Sequence, residues 1–110
     1  MEPATDAIVC LMTCPDAETA ARIARALVEE ELAACVNIAP QVRSIYRWEG
    51  RVSLDMEALC LIKTTRAGFE ALRARVVELH PYQVPEVIAL PIVEGSAPYL
   101  EWLRGAVKPR

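Results

Sequence analysis

Several residue types are scarce in this sequence, and each scarcity narrows what the chain can be. Its 110 residues include one histidine, and no Cys-x-x-Cys occurs. That counts against a closed four-ligand zinc site within one chain. There are four glycines, with no GxGxxG and no Walker loop, so neither phosphate cradle is present. Lysine is rarer than arginine, 2 against 10, and acids outnumber bases to leave a net charge of −3. A nucleic-acid binder is normally basic, so no such partner is expected. No run of 18 apolar residues exists, which leaves no transmembrane helix and no expected membrane partner. The opening stretch, Met1 to Thr5, lacks the basic start of a secretory signal. The expectation is a cytoplasmic protein.

What is present describes one folded domain. Apolar residues make up 54% and charged residues 25%, which excludes a disordered chain. The length fits a single domain spanning 1–110, with its core over about 7–104. A chain this short buries only about two thirds of its unfolded surface, so an oligomer interface would help it. The four cysteines, Cys10, Cys14, Cys35 and Cys60, lie in apolar stretches and read as free thiols. Cys10 and Cys14 would stand ~13 Å apart along a strand, too far for a disulfide.

The elements follow from periodicity. Ala7 to Met12 is apolar throughout, a strand buried on both faces. Thr13 or Asp16 caps a helix whose stripe is Ala20, Ile23, Ala24, Leu27 and Val28. Glu18 and Arg22 stand four apart on its polar side, and Glu29-Glu30-Glu31 forms a solvated end. From Ala34 to Trp48 the period is two. Val36, Ile38, Val42, Tyr46 and Trp48 share one parity, and Pro40 marks a bulge or an edge. After a turn at Glu49-Gly50-Arg51, the face Val52, Leu54, Met56, Ala58, Cys60, Ile62 returns. Thr65 caps a second helix with Phe69, Leu72, Val76 and Leu79 inward, and His80-Pro81 ends it. Val87 to Val93 is a last, edge strand. Ser96 opens a short helix anchored by Tyr99, Leu100, Trp102 and Leu103, and Val107 to Arg110 is a tail. This βαββαβ order plus a C-terminal helix is an α+β, ferredoxin-like split βαβ sandwich with a long β2–β3 hairpin.

The hairpin carries a separate message. Fifteen extended residues reach ~50 Å, while a globule of this length is only roughly 34 Å across. The ribbon therefore overhangs its own domain and exposes Ile45, Tyr46 and Trp48 unless a second copy covers them. A homo-oligomer follows.

Chemistry-bearing residues are few. Cys35 and His80 could pair as an activated nucleophile, but no motif supplies an oxyanion hole, and an enzyme is not expected. The soft donors Met12, Cys14, Cys35, Cys60 and His80 would favour copper over magnesium or calcium. Cys60 shares parity with core residues, and Cys10, in mid-strand, is also core. Cys35 sits on the polar parity beside Asn37 and is the thiol to find accessible, although a core role is the default for each cysteine. Tyr46-Arg47-Trp48-Glu49-Gly50 is a recognition loop or interface packing. Glu57 and Lys63 lie on the polar parity of the third strand, where they line a cleft or form surface pairs.

Several strings, taken together and in order, resemble one family. They are Ala33-Ala34-Cys35-Val36-Asn37-Ile38, Ser44-Ile45-Tyr46-Arg47-Trp48-Glu49-Gly50, Leu61-Ile62-Lys63-Thr64, His80-Pro81-Tyr82-Gln83-Val84-Pro85-Glu86-Val87-Ile88-Ala89-Leu90-Pro91-Ile92, and Tyr99-Leu100 with Trp102. From about Ile8 to Leu103 the chain is similar to the CutA family of divalent-cation tolerance proteins. The resemblance implies a tight homotrimer, PII-like in architecture, with hairpins packed between subunits. It implies a cytoplasmic protein tied to copper and other divalent-cation tolerance. Cys35 falls on the family's cysteine and His80-Pro81-Tyr82 on its histidine motif, while Gln83 stands where a Glu often follows.

The expectation is a non-enzymatic trimer that needs no cofactor and binds copper or another divalent cation weakly through Cys35 and His80. Tyr46, Trp48, Glu57, Lys63 and Tyr82 are the cleft-lining candidates. Two rivals stand beside it: a structural adaptor for another protein, and a PII-like small-molecule sensor without a direct metal role.

Overall fold

The structure, a computed structural model, describes residues 5–109. The basic-start test at Met1 to Thr5 falls mostly outside that range, as does Arg110. Seven elements follow in order: β1 (Ala7–Cys14), α1 (Ala17–Glu29), β2 (Cys35–Trp48), β3 (Arg51–Thr65), α2 (Phe69–Leu79), β4 (Ile88–Pro91) and α3 (Ala97–Ala106). They build one sheet in the order β2-β3-β1-β4, every neighbouring pair antiparallel. This is the ferredoxin-like α+β arrangement, with the two most apolar strands in the centre.

The core lies on one face of that sheet. Cys10, Met12 and Cys14 of β1 stand opposite Ile62, Cys60 and Ala58 of β3. They pack against Ile23 and Leu27 of α1 and Leu72 and Val76 of α2, all fully buried. Asp16 caps α1, accepting from the Thr19 amide at 2.7 Å, which satisfies one of the orphan donors of the first turn. A smaller cluster of Ala7, Ala34, Leu100, Leu103 and Val107 seats α3.

On the opposite face, helical cover among the described residues comes from α3, which packs at the Ala7 end of β1. Val9, Leu11, Leu59 and Leu61 are half-buried there. Ile88 and Leu90, opposite Leu11 and Val9 by register, are each 51% exposed. The chain extends 43 Å along its longest axis. Its radius of gyration is 14.5 Å, above the roughly 13 Å of a compact chain this long. The hairpin supplies the excess, and Ile45, Val52, Leu54 and Met56 are exposed along it.

A bulge between Ala39 and Val42 shifts the β2–β3 register. Before it, Val36 and Ile38 stand opposite the core residues Ile62 and Cys60. Beyond it, Val42, Ser44, Tyr46 and Trp48 stand opposite Glu57, Asp55, Ser53 and Arg51. Opposed residues share a face, so the shared parity of Val36 and Tyr46 does not mean a shared face: the extra residue turns the distal half of the strand over.

Several local expectations are corrected. Val28 is exposed rather than part of the buried stripe of α1. Glu30 is not simply solvated but makes a two-pronged pair with Arg75 of α2, at 2.9 and 3.0 Å. Arg25 pairs with Glu29, and no Glu18–Arg22 pair forms among the described residues. Gly68 holds the N-cap position of α2, one turn after Thr65, whose hydroxyl accepts from the Gly68 amide. The last strand is shorter than Val87–Val93, because only Ile88–Pro91 pairs with β1. Tyr99 and Trp102 stack on each other at the surface, centroids 5.4 Å apart, while Leu100 and Leu103 do the anchoring. Val107 is core, not tail.

Candidate functional site

The hairpin, the end of β1 and the segment after α2 enclose a groove of about 760 Å³. His80 sets the geometry. It ends α2 in an extended conformation, as a residue before proline must. Its Nε2 donates to the Thr13 carbonyl at 2.8 Å, and its Nδ1 accepts from the Tyr82 amide at 3.1 Å. These two bonds define the Nε2–H tautomer. They also pin Tyr82, whose ring lies 4.7 Å from the imidazole and whose hydroxyl donates to Glu57 at 2.6 Å.

The other wall comes from the distal hairpin. Tyr46 donates to Asp55 across the strand pair, and Trp48 lies beyond it on the same face. Thr13, Ser44, Ile45, Pro81, Gln83, Val84 and Glu86 complete the lining. Burial, then the Glu57 bond, raises the Tyr82 phenol above its ordinary range. The Asp55 bond raises that of Tyr46.

Behind the groove, on the core face, lies a thiol pair. Cys14 and Cys60 are diagonal neighbours on adjacent strands, both fully buried. Cys14 keeps its proton. The neighbouring Cys60, then burial, holds the Cys14 thiol far above the usual range. Cys14, in turn, draws the Cys60 thiol below its ordinary value. His80 Nε2 is 3.6 Å from the Cys14 sulfur. Burial alone pushes Cys10 up to about 11.

The sequence candidates therefore separate. Tyr46, Trp48, Glu57 and Tyr82 come together around the groove. Lys63 does not: it stands opposite Cys35 and donates to Asn37. Cys35 and His80 are not neighbours in one chain. Cys35 pairs with Lys63 and Cys14 with Ala58, five positions apart along β3 or roughly 17 Å, and on opposite faces. Cys35 is half-buried, the other three thiols buried. It sits near Tyr99, whose phenol is raised by burial and by Cys35. Sequence reasoning missed Asp55 and the Cys14–Cys60 pairing. The alternation of Ser53, Asp55 and Glu57 was the available signal for the first, and the strand register for the second. Among the described residues no three His, Cys, Asp or Glu side chains group at metal-binding spacing.

A ferredoxin-like sheet with two helices on one face and a groove beneath an overhanging hairpin defines the structural class. The model of the family described as CutA1 divalent ion tolerance protein matches residues 8–106, and the chain belongs to that family. It is similar to the divalent-cation tolerance protein CutA of Thermus thermophilus, 59% identical over 87% of this chain and 93% of that protein. It is also similar to the human protein CutA, 52% identical over 84% of this chain and only 52% of the longer human protein. Among solved structures, the Thermus thermophilus protein superposes with TM-score 0.91 at 56% identity, covering 93% and 99% of the two chains. CutA1 from Oryza sativa gives 0.93 at 45% identity, covering 97% and 98%. A structure described as the periplasmic divalent cation tolerance protein CutA from Archaeoglobus fulgidus gives 0.90 at 35%, covering 93% and 99%.

Proposed function

We propose that this chain works as a cytoplasmic, non-enzymatic homotrimer that contributes to divalent-cation tolerance by weakly binding a soft metal ion, copper foremost, at the Cys14–Cys60 pair. The observation that carries the reading is the placement of those two buried thiols as diagonal neighbours on adjacent strands, with His80 Nε2 3.6 Å from the Cys14 sulfur. Thiolate ligands select Cu(I), and two of them suffice for a linear site. Binding must expel protons, above all the one Cys14 holds, so affinity is weak and rises with pH. His80 acts as a positioning residue, since both ring nitrogens already serve the main chain. The same engagement leaves it no freedom as a general base, which supports a non-catalytic role. Free cysteines fit a reducing compartment. The apolar open face and the exposed hairpin support assembly.

The test is an anaerobic titration with Cu(I), Cu(II) and Zn(II) against a competing chelator. Cys14→Ser and Cys60→Ser are each expected to abolish Cu(I) uptake, and Cys35→Ser to leave it unchanged. Uptake that survives the Cys14→Ser/Cys60→Ser double substitution overturns the reading and favours an adaptor or a small-molecule sensor.

A further inference from the structure

We propose that Met12 is the third sulfur of the Cys14–Cys60 site, and that its thioether makes the site selective for a soft monovalent ion, Cu(I) or Ag(I), over Zn(II). The inference rests on the copper reading above and adds the residue that sets the choice of metal.

Strand register carries the argument. Met12 stands directly opposite Cys60, and Cys14 directly opposite Ala58. Opposed residues share a face, with Cβ atoms about 5 Å apart. Met12 and Cys14 are two positions apart on β1, so they share that face as well. The four side chains therefore make one rectangle on the core side of the sheet, with sulfur at three corners and a methyl group at the fourth. All four are fully buried. The short side chain of Ala58 leaves the middle of the rectangle to its longer neighbours. Met12 is unbranched, and its flexible stem lets the sulfur turn toward either thiol.

The other donors nearby are already committed or out of reach. No three His, Cys, Asp or Glu side chains group at metal-binding spacing among the described residues, so a third ligand has to come from another residue type. His80 touches the Cys14 sulfur, but its two ring nitrogens serve Thr13 and Tyr82. Cys10 faces the same core but lies four positions from Cys14, ~13 Å along an extended strand. The rest of the surrounding cluster is hydrocarbon, Ile23, Leu27, Leu72 and Val76 among it.

The chemistry of a thioether fixes the selectivity. It is a soft donor of the kind that suits Cu(I). It is also neutral, so it adds a ligand without burying a further charge and without a proton to expel. Zn(II) takes four ligands in a tetrahedron, and this patch offers three sulfurs.

The experiment uses the intact protein with methyl-¹³C methionine. The chain has three methionines, Met1, Met12 and Met56, so two of them serve as internal controls. Anaerobic addition of Cu(I), or of redox-inert Ag(I), is expected to shift the Met12 methyl resonance and leave those of Met1 and Met56 in place. Met12→Leu roughly conserves volume, a change that cores tolerate well. It should lower Cu(I) affinity at least tenfold in chelator competition, leave Zn(II) affinity unchanged, and remove one sulfur from the copper shell seen by X-ray absorption. Met56→Leu, on the exposed hairpin, should do none of these.

Cu(I) uptake that needs Cys14 and Cys60 but neither shifts the Met12 methyl nor responds to Met12→Leu overturns this proposal and leaves the copper reading standing. Equal losses of Cu(I) and Zn(II) affinity in Met12→Leu overturn the claim of selectivity. Uptake that survives the Cys14→Ser/Cys60→Ser double substitution, or no uptake at all, overturns both. If Met12→Leu fails to fold, the methyl shift in the native protein decides.

Discussion

Tyr82 and Glu57, 25 positions apart in sequence, are joined by a 2.6 Å hydrogen bond that ties the segment after α2 to the root of the hairpin. It closes one side of the groove and gives the carboxylate of the buried Glu57 its donor. Removing that donor with Tyr82→Phe should cost about 1–3 kcal/mol, the usual penalty for stranding a buried acceptor. A denaturant midpoint measures it.

The same bond predicts alkaline behaviour. All three tyrosines, Tyr46, Tyr82 and Tyr99, are held above the ordinary phenol value of 10.0. A raised folded-state value means that the stabilisation is complete below the unfolded value and is lost as pH rises through the folded one. Absorbance at the tyrosinate band should therefore stay flat through pH 10 in the native protein. The last step should vanish in Tyr82→Phe.

Acid should erode stability through the opposite sign. Asp16, bonded by the Thr19 amide, and Glu30, paired with Arg75, both sit below their ordinary values of 3.8 and 4.5. Their contribution is complete above those values and lost as pH falls through the lower folded ones. The Asp16→Asn/Glu30→Gln variant should be less stable than the native protein at pH 7. The gap should close as pH falls below about 4, as read by guanidinium midpoints across pH.

Burial separates two positions that periodicity joined. Leu72→Ala removes a fully buried side chain and should cost about 2–5 kcal/mol. Val28→Ala, at an exposed position, should change stability by no more than about 0.5 kcal/mol. Calorimetric or chemical unfolding distinguishes them.

Assembly has its own test. Leu54 is 57% exposed in the single chain, so Leu54→Lys should leave the fold intact. If three copies cover the hairpin, sedimentation equilibrium should show a trimer for the native protein and at least tenfold weaker association for the variant. Val77→Lys, on an exposed turn of α2, should leave association unchanged.

Much of this was legible in the chain itself. Apolar runs at Ala7–Met12 and Ala58–Ile62 identified the central strands, because burial on both faces removes alternation. His80-Pro81 marked the end of α2 for a steric reason local to two residues. Pro40 marked the bulge. What the bulge does to faces was not legible: periodicity counts positions, and one extra residue makes the count misleading beyond it. The pairing of Cys14 with Cys60 depends on register between strands far apart in sequence, which spacing within either strand does not encode. Tyr99 and Trp102 were misplaced because aromatic size suggests anchoring, while Leu100 and Leu103 on the other side of the helix supply it.

The register shift at Ala39/Val42 has a consequence for how this chain can vary. It divides one continuous ribbon into two independently tunable halves. Substitutions at Val36 or Ile38 are constrained by packing against the core, and those at Ser44, Tyr46 or Trp48 by the groove they line. Losing the extra residue would exchange the faces of the distal hairpin, turning Tyr46 and Trp48 away from the side that carries Asp55 and Glu57.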